Sequence, residues 1–365
     1  MVQGNKIRIM VVDDSALARS LIIKGLSAHP RMEIVGFAIN TLDAKRKIPQ
    51  LRPDVVTMDV EMPGQSGIDF LKEYLPSHPI PVILVSSLNL KVFDALSAGA
   101  VDFVRKPEPQ DNKDAFITAL AQKILIASMS RVRTHPAARP AVNSAARPAG
   151  GAAAGLAGVL AGGAAKALGP SPALNHVIIG LGASTGGTEA TLEVMKRLPA
   201  DIPAMVIVQH MPKGFTQMYA ERLNRLCKME VREAKSGDEL RRGLALVAPA
   251  DLQCRIVRIG DKYTISCMPG EKVSGHRPSV DAMFQSISEV VRCKTVGIIM
   301  TGMGQDGAAG LLAMRQKGAY TIGQDKESCV VYGMPMVAHD IGAVCVQASC
   351  ENIANVLLRQ LNTIQ

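Results

Sequence analysis

Five side chains in the first third of the sequence are placed to handle a phosphoryl group. Asp13 and Asp14 follow the apolar run 7–12, Asp59 follows 54–58, Ser86 closes 81–86, and Lys106 comes just after 101–104. Carboxylates gathered within a few ångströms repel one another, and a hard divalent cation with oxygen ligands relieves that repulsion. The chemistry expected is Mg²⁺-assisted transfer of a phosphoryl group to Asp59, with Lys106 neutralising the transferring oxygens. The Ser86 hydroxyl can then bond the new phosphoryl group and pull its loop inward. An acidic pair after a strand is also an ordinary helix N-cap, but a cap leaves Ser86 and Lys106 unexplained.

A second constellation lies beyond residue 176. Gly182-Ala-Ser184-Thr-Gly186-Gly187 follows the run 176–181 and opens a helical segment, so the serine sits on a tight turn that small neighbours permit. Gln209-His210 ends the run 204–208, and the run 296–300 leads into Thr301-Gly-Met-Gly-Gln-Asp306-Gly307. A serine, a histidine and an aspartate at strand ends suit nucleophilic acyl transfer: Ser184 as nucleophile, His210 as general base then acid, Asp306 to orient and charge His210. The glycines around Met303 leave its amide free to face an oxyanion. Three other readings compete. An α/β-hydrolase would need its acid before its histidine, which requires His339. A dinucleotide loop would use the GxGxxxG spacing with Asp201 near the ribose. The glycines could also be a purely structural turn.

The elements that must position these residues alternate Val/Ile-rich runs with amphipathic segments. From 6 to 130 the runs 7–12, 33–37, 54–58, 81–86 and 101–104 alternate with helical periods, the last at 114–128, giving five βα units of a doubly wound parallel sheet. From 173 to 365 the pattern resumes, interrupted at 230–267 by short alternating runs whose Gly237–Asp238 and Gly260–Asp261 breaks predict β-hairpins. Between them, 131–172 is rich in Ala, Gly, Pro, Ser and Arg without apolar period and reads as a flexible linker. Its uncharged stretch Ala149–Ala165 is too poor in large apolar side chains for a membrane span, so no membrane insertion is expected. At 365 residues with 47% hydrophobic and only 3% aromatic content, two α/β cores built on aliphatic side chains are expected. Seven cysteines without a CxxC pair argue against a disulfide framework or a zinc site. The N-terminus lacks a signal-peptide pattern, and a reduced, cytoplasmic protein is expected. The net charge of +9 owes much to Arg131, Arg133, Arg139, Arg147 and Lys166 of the linker, and no basic run interleaved with aromatics suggests nucleic-acid binding.

Residues 6–130 resemble a response-regulator receiver domain, through VVDDS at 11–15, MDVEMP at 58–63, VSS at 85–87 and RKP at 105–107. The resemblance implies a flavodoxin-like fold and phosphorylation at Asp59 by a sensor histidine kinase. It also implies Mg²⁺ binding by Asp14 and Asp59 with help from Asp13 and the Glu61 carbonyl, switching by Ser86 and phosphate contact by Lys106. GASTGG at 182–187, VQHMP at 208–212, HRPSVD at 276–281, TGMGQDG at 301–307 and QDKESCVVYGMP at 324–335 resemble the chemotaxis protein-glutamate methylesterase (CheB) family. That resemblance implies a Rossmann-like serine hydrolase domain with a β-hairpin insertion. Its activity would be phosphorylation-activated hydrolysis of glutamate γ-methyl esters on methyl-accepting chemoreceptors, with methanol released and certain receptor glutamines deamidated. It assigns the triad to Ser184, His210 and Asp306 and the oxyanion donor to the Met303 amide, with no cofactor for hydrolysis; a monomer is expected. A receiver-linked transcription factor would need a helix-turn-helix after residue 172, which is not visible. An idle scaffold differs in having no activated serine.

Overall fold

The computed structural model describes residues 6–87, 91–130 and 171–364, so nearly all of the expected linker, including Ala149–Ala165, lies outside the described residues. The first unit runs β1 (Ile7–Val12), α1 (Ala16–Ser27), β2 (Met32–Ala38), α2 (Thr41–Leu51), β3 (Val55–Asp59), α3 (Gly67–Tyr74), β4 (Val82–Ser86), α4 (Lys91–Ser97), β5 (Asp102–Arg105) and α5 (Lys113–Ala127). Its strands pair in parallel in the order β2-β1-β3-β4-β5. Strands β3 and β4 are buried at every position, as aliphatic strands covered on both faces must be. Ser15, Asn40, Ser66 and Asn112 accept the first free amides of α1, α2, α3 and α5, which sets where each helix starts. Gly67 lets α3 begin against β3: a Cβ there would lie 2.3 Å from the Asp59 carbonyl oxygen.

The second unit begins with a 3-10 turn (Pro172–His176). It continues through β6 (Ile178–Ala183), α6 (Gly187–Met195), β7 (Ala204–Gln209), α7 (Phe215–Leu226), β8 (Glu230–Glu233), β9 (Leu244–Val247), β10 (Gln253–Ile259) and β11 (Lys262–Met268). It ends with α8 (Val280–Val290), β12 (Thr295–Ile299), α9 (Ala308–Gln316), β13 (Tyr320–Gln324), α10 (Met334–Asp340), β14 (Val346–Ala348) and α11 (Cys350–Leu361). Seven of these strands form one parallel sheet, β14-β13-β12-β6-β7-β9-β8. Leu181, Ile207 and Ile298 meet at one level across β6, β7 and β12 and are fully buried. The insertion holds one hairpin, β10–β11, closed at Gly260–Asp261. The Gly237–Asp238 break closes none: β8 and β9 lie side by side in parallel, and Asp238 folds the loop onto Lys235 and Arg232. Four-residue strands are too short for alternation to separate the two arrangements.

Two aromatic pairs sit where the units meet. Of seven Phe and five Tyr, Phe93 stacks on Tyr219 at 5.8 Å and Phe103 packs against Phe215 at 4.5 Å, joining α4 and β5 to α7. Arg222 bonds both Glu189 (2.8 Å) and the hydroxyl of Ser97 (2.7 Å) across the same junction.

Candidate functional site

Strand β6 lies between β7, which follows it in the chain, and β12, which returns to its other side, so strand order reverses beside it. Doubly wound sheets open a crevice at such a point, at the carboxyl ends of the strands. Ser184 follows β6, His210 follows β7 and Asp306 lies on the loop after β12, so the structure brings all three to this edge. Around the serine the turn is tight. The Ser184 amide donates to the Thr301 carbonyl (2.9 Å), and the Gly187 amide donates to the Ser184 carbonyl (2.7 Å). Gly302 lets the β12 loop pass the serine, since a Cβ there would lie 2.6 Å from Ser184 Cβ.

His210 Nε2 lies 2.8 Å from Asp306 Oδ2, while its Nδ1 is buried and has no partner among the described residues. Ser184 Oγ makes no hydrogen bond to another described residue, so the histidine–aspartate link is formed and the serine–histidine link is not. Asp306 sits at the start of α8, accepting from the amides of Val280 (2.8 Å) and Asp281 (3.0 Å) and from Ser279 Oγ (2.7 Å). Its burial pushes the pKa up. The His210 bond and charge, the Asp281 amide and the Ser279 hydroxyl outweigh that and hold it below the usual carboxylate value.

The motif 276–281 supplies most of this cage, and the sequence had left it without roles. Ser279 caps α8, and Gln253 orders the loop by accepting the Ser279 amide (3.0 Å) and donating to the His276 carbonyl (3.0 Å). The His276 ring lies flat on His210, centroids 3.8 Å apart at 3°. A helix-start signature at Ser279 was readable; its contact with Asp306, far along the chain, was not. Asp281 turns away, accepting the Gly310 amide and the Ser274 hydroxyl, each at 2.7 Å.

The rival readings lose their residues. His339 is exposed on α10 beside Asp340. Asp201 pairs with Arg242 (2.6 Å). Gly180 and Gly182 lie within β6 and are pressed by Phe284, Ile287 and Val280 of α8, so their lack of a side chain serves the packing of that helix. Met303 is 40% exposed between Gly302 and Gly304, and its amide makes no hydrogen bond to another described residue.

In the first unit the carboxylates of Asp13, Asp14 and Asp59 lie within 4.8 Å of one another. Lys106 Nζ is 2.6 Å from Asp59 Oδ2 and 2.8 Å from Asp13 Oδ2. Burial, with Asp13 adding to it, raises the Asp59 pKa despite the lysine. Burial lowers that of Lys106, but its bonds to Asp13 and Asp59 prevail and raise it. Three carboxylates against one ammonium leave a negative surplus that fits a divalent cation. The Glu61 amide donates to Asp59 Oδ1 (3.2 Å), bringing that residue's backbone to the same edge. Ser86 Oγ is buried and has no partner among the described residues.

Fold and sites together define a two-part protein: a receiver-type acidic pocket in one doubly wound unit and a serine–histidine–aspartate edge in another. Residues 9–118 match the response regulator receiver domain model, and residues 179–357 match the CheB methylesterase model. The chain is 45% identical to protein-glutamate methylesterase/protein-glutamine glutaminase 2 of Syntrophomonas wolfei, covering 98% of this chain and 99% of that protein. It is 40% identical to the protein-glutamate methylesterase/protein-glutamine glutaminase of Salmonella typhimurium, covering 99% of each. Among solved structures it resembles the Thermotoga maritima CheB methylesterase catalytic domain at 33% identity, covering 50% of this chain and 97% of that one, with a TM-score of 0.49. The chain belongs to the CheB methylesterase family.

Proposed function

We propose that the protein is a phosphorylation-activated cytoplasmic hydrolase that removes methyl esters from glutamate side chains of methyl-accepting chemoreceptors and deamidates receptor glutamines. The observation that carries this reading is the His210–Asp306 pair, its carboxylate buried against the start of α8 beside the Ser184 turn. With Nε2 held by Asp306, Nδ1 is the nitrogen left to take the Ser184 proton. Ser184 Oγ then attacks the γ-carbonyl carbon, and the oxygen that becomes negative is met by the Met303 amide. Collapse breaks the ester bond, His210 returns the proton, and methanol leaves; with a glutamine substrate, ammonia leaves instead. A water, deprotonated by His210, attacks the acyl-serine and releases the glutamate. A groove of about 600 Å³, lined in part by Met303, Tyr332, Met336 and Val337, offers an adaptable apolar bed for the receptor segment.

Control passes through the junction. Thr185, next to the nucleophile, donates to Asp102 Oδ2 of β5 (2.7 Å), and Met129, just beyond α5, lines the same groove. Ser86 pairs with Arg105 across β4 and β5, so movement of Ser86 toward a phosphoryl group reaches the strand that carries Asp102 and Phe103. A sensor histidine kinase is the phosphodonor. Mg²⁺, held by Asp14, Asp59 and the Glu61 carbonyl with help from Asp13, would neutralise charge during transfer. A shift of about 1–3 kcal/mol in the balance between docked and released receiver changes activity several-fold or more. We take the protein to act as a monomer. The test is methanol release from methylated receptors with and without a small phosphodonor, alongside labelling by a serine-directed fluorophosphonate. Release stimulated by the donor, with label on Ser184, supports the reading; a folded protein that neither releases methanol nor labels refutes it.

A further inference from the structure

His276 is built into place more firmly than a surface histidine needs. Its backbone forms a two-way bridge with Val273 (3.0 and 2.9 Å), and its carbonyl accepts Gln253 Nε2 (3.0 Å). Its Nδ1 lies 2.8 Å from the Ser274 carbonyl oxygen, which can only accept, so Nδ1 carries the proton. The ring is thereby held parallel to His210 at 3.8 Å. The titratable and charged groups facing it are His210, Asp306 (3.8 Å from Nδ1) and Lys272 of its own loop; Arg277 turns aside to the Gly270 carbonyl. Burial first, then His210, lowers its pKa, which favours the uncharged ring. Flat stacking does not converge the ring lone pairs on a shared ion, and His210 Nε2 is already engaged by Asp306.

One hydrogen bond at Nε2 fixes one atom of the His210 ring but leaves its plane free. The stacked ring removes that freedom and offers a π face to the imidazolium that forms during acyl transfer. We propose that His276 is a positioning residue for His210, holding the plane of the imidazole. This deepens the reading of His210 as the base and rests on it. The test uses full-length His276→Ala and His276→Phe, with kcat and KM for methanol release and thermal melts to normalise for folded protein. Because misplacing a catalytic group carries a large rate penalty, His276→Ala is expected to lose about 10–100-fold in kcat with KM nearly unchanged. His276→Phe, which keeps a flat ring, is expected to recover most of the loss. A kcat for His276→Ala within twofold of wild type, a loss confined to KM, or no recovery in His276→Phe overturns the proposal. His210→Ala separates the two ideas: if it remains active, the base assignment itself has failed.

A different observation concerns the β10–β11 hairpin. Cys254 and Cys267 are directly opposite, with Sγ atoms 3.1 Å apart. Cys267 directs both its amide (2.8 Å) and its carbonyl (2.9 Å) to the Ser236 hydroxyl, away from β10. The two therefore form the close, non-hydrogen-bonded kind of cross-strand pair, with Cα atoms about 4.5 Å apart, within disulfide range. We infer that Cys254 and Cys267 are a disulfide-forming modification site for a small oxidant such as hydrogen peroxide. The two thiols give up two protons and two electrons, the S–S bond forms, and the peroxide becomes two waters. The test is intact-mass and peptide mapping after peroxide, then after dithiothreitol. A loss of two hydrogens mapped to this pair, reversed by dithiothreitol and absent in Cys254→Ser, supports the site. Unchanged thiols, oxygen added to a single sulfur, or a bridge to any other cysteine overturns it.

Discussion

Asp59 and Asp306 are both aspartates, both almost fully buried, and both at the carboxyl edge of a parallel sheet, yet their pKa values move in opposite directions. Asp59 shares one lysine with a second carboxylate, so its pocket is short of positive charge and open to a cation and a phosphoryl group. Asp306 receives two helix-start amides, a hydroxyl and a histidine, so its charge is fully met within the fold. A buried carboxylate left in deficit can act as a nucleophile toward an incoming group, whereas one that is satisfied can only orient its neighbour. The same scaffold thus suits the proposed switch at one edge and the proposed reaction site at the other.

Substitutions can break this contrast, and the largest effect belongs to the rigid site. Ser184→Ala is expected to lower methanol release by about 10⁴-fold or more, with an unchanged melting temperature, because the hydroxyl makes no packing bond. Near-normal turnover in that variant would remove the nucleophile assignment. Asp306→Asn keeps the shape but removes the charge opposite His210, and about 10³–10⁴-fold is expected to be lost. Asp281→Asn, which touches Gly310 and Ser274 instead, is expected to stay within about tenfold of wild type. If the two variants exchange these outcomes, the orienting acid has been misassigned.

At the switch the effects are smaller. Asp59→Asn is expected to abolish stimulation by a phosphodonor, read as the ratio of methanol release with and without it. Asp102→Asn weakens the bond to Thr185 and is expected to raise the unstimulated rate by about two- to fivefold, since interdomain contacts are individually modest. A fall in that rate would show that the receiver supports the active site and does not restrain it. The smallest expected effect is thermal: Mg²⁺ at ten times its dissociation constant stabilises the receiver by about 1.4 kcal/mol. Scanning calorimetry should register this in the receiver transition alone, and Asp14→Ala should erase it.

Much of both sites was legible because a parallel sheet carries the residues at and beyond the carboxyl end of each strand to one edge. Recognising β1, β3, β4 and β5 therefore sufficed to gather Asp13, Asp59, Ser86 and Lys106, and β6, β7 and β12 did the same for Ser184, His210 and Asp306. Side-chain chemistry and local period determine such placements. Contacts between distant segments left no local signal: Ser279 and the α8 amides around Asp306, the flat stack of His276 on His210, and the Asp102–Thr185 bond. The parallel course of β8 and β9 was likewise decided by packing, because four-residue strands have the same alternation in either direction. Sequence determined which groups reach each edge; tertiary structure decided how their charges are met, because hydrogen bonds and burial depend on neighbours that the chain order does not place together.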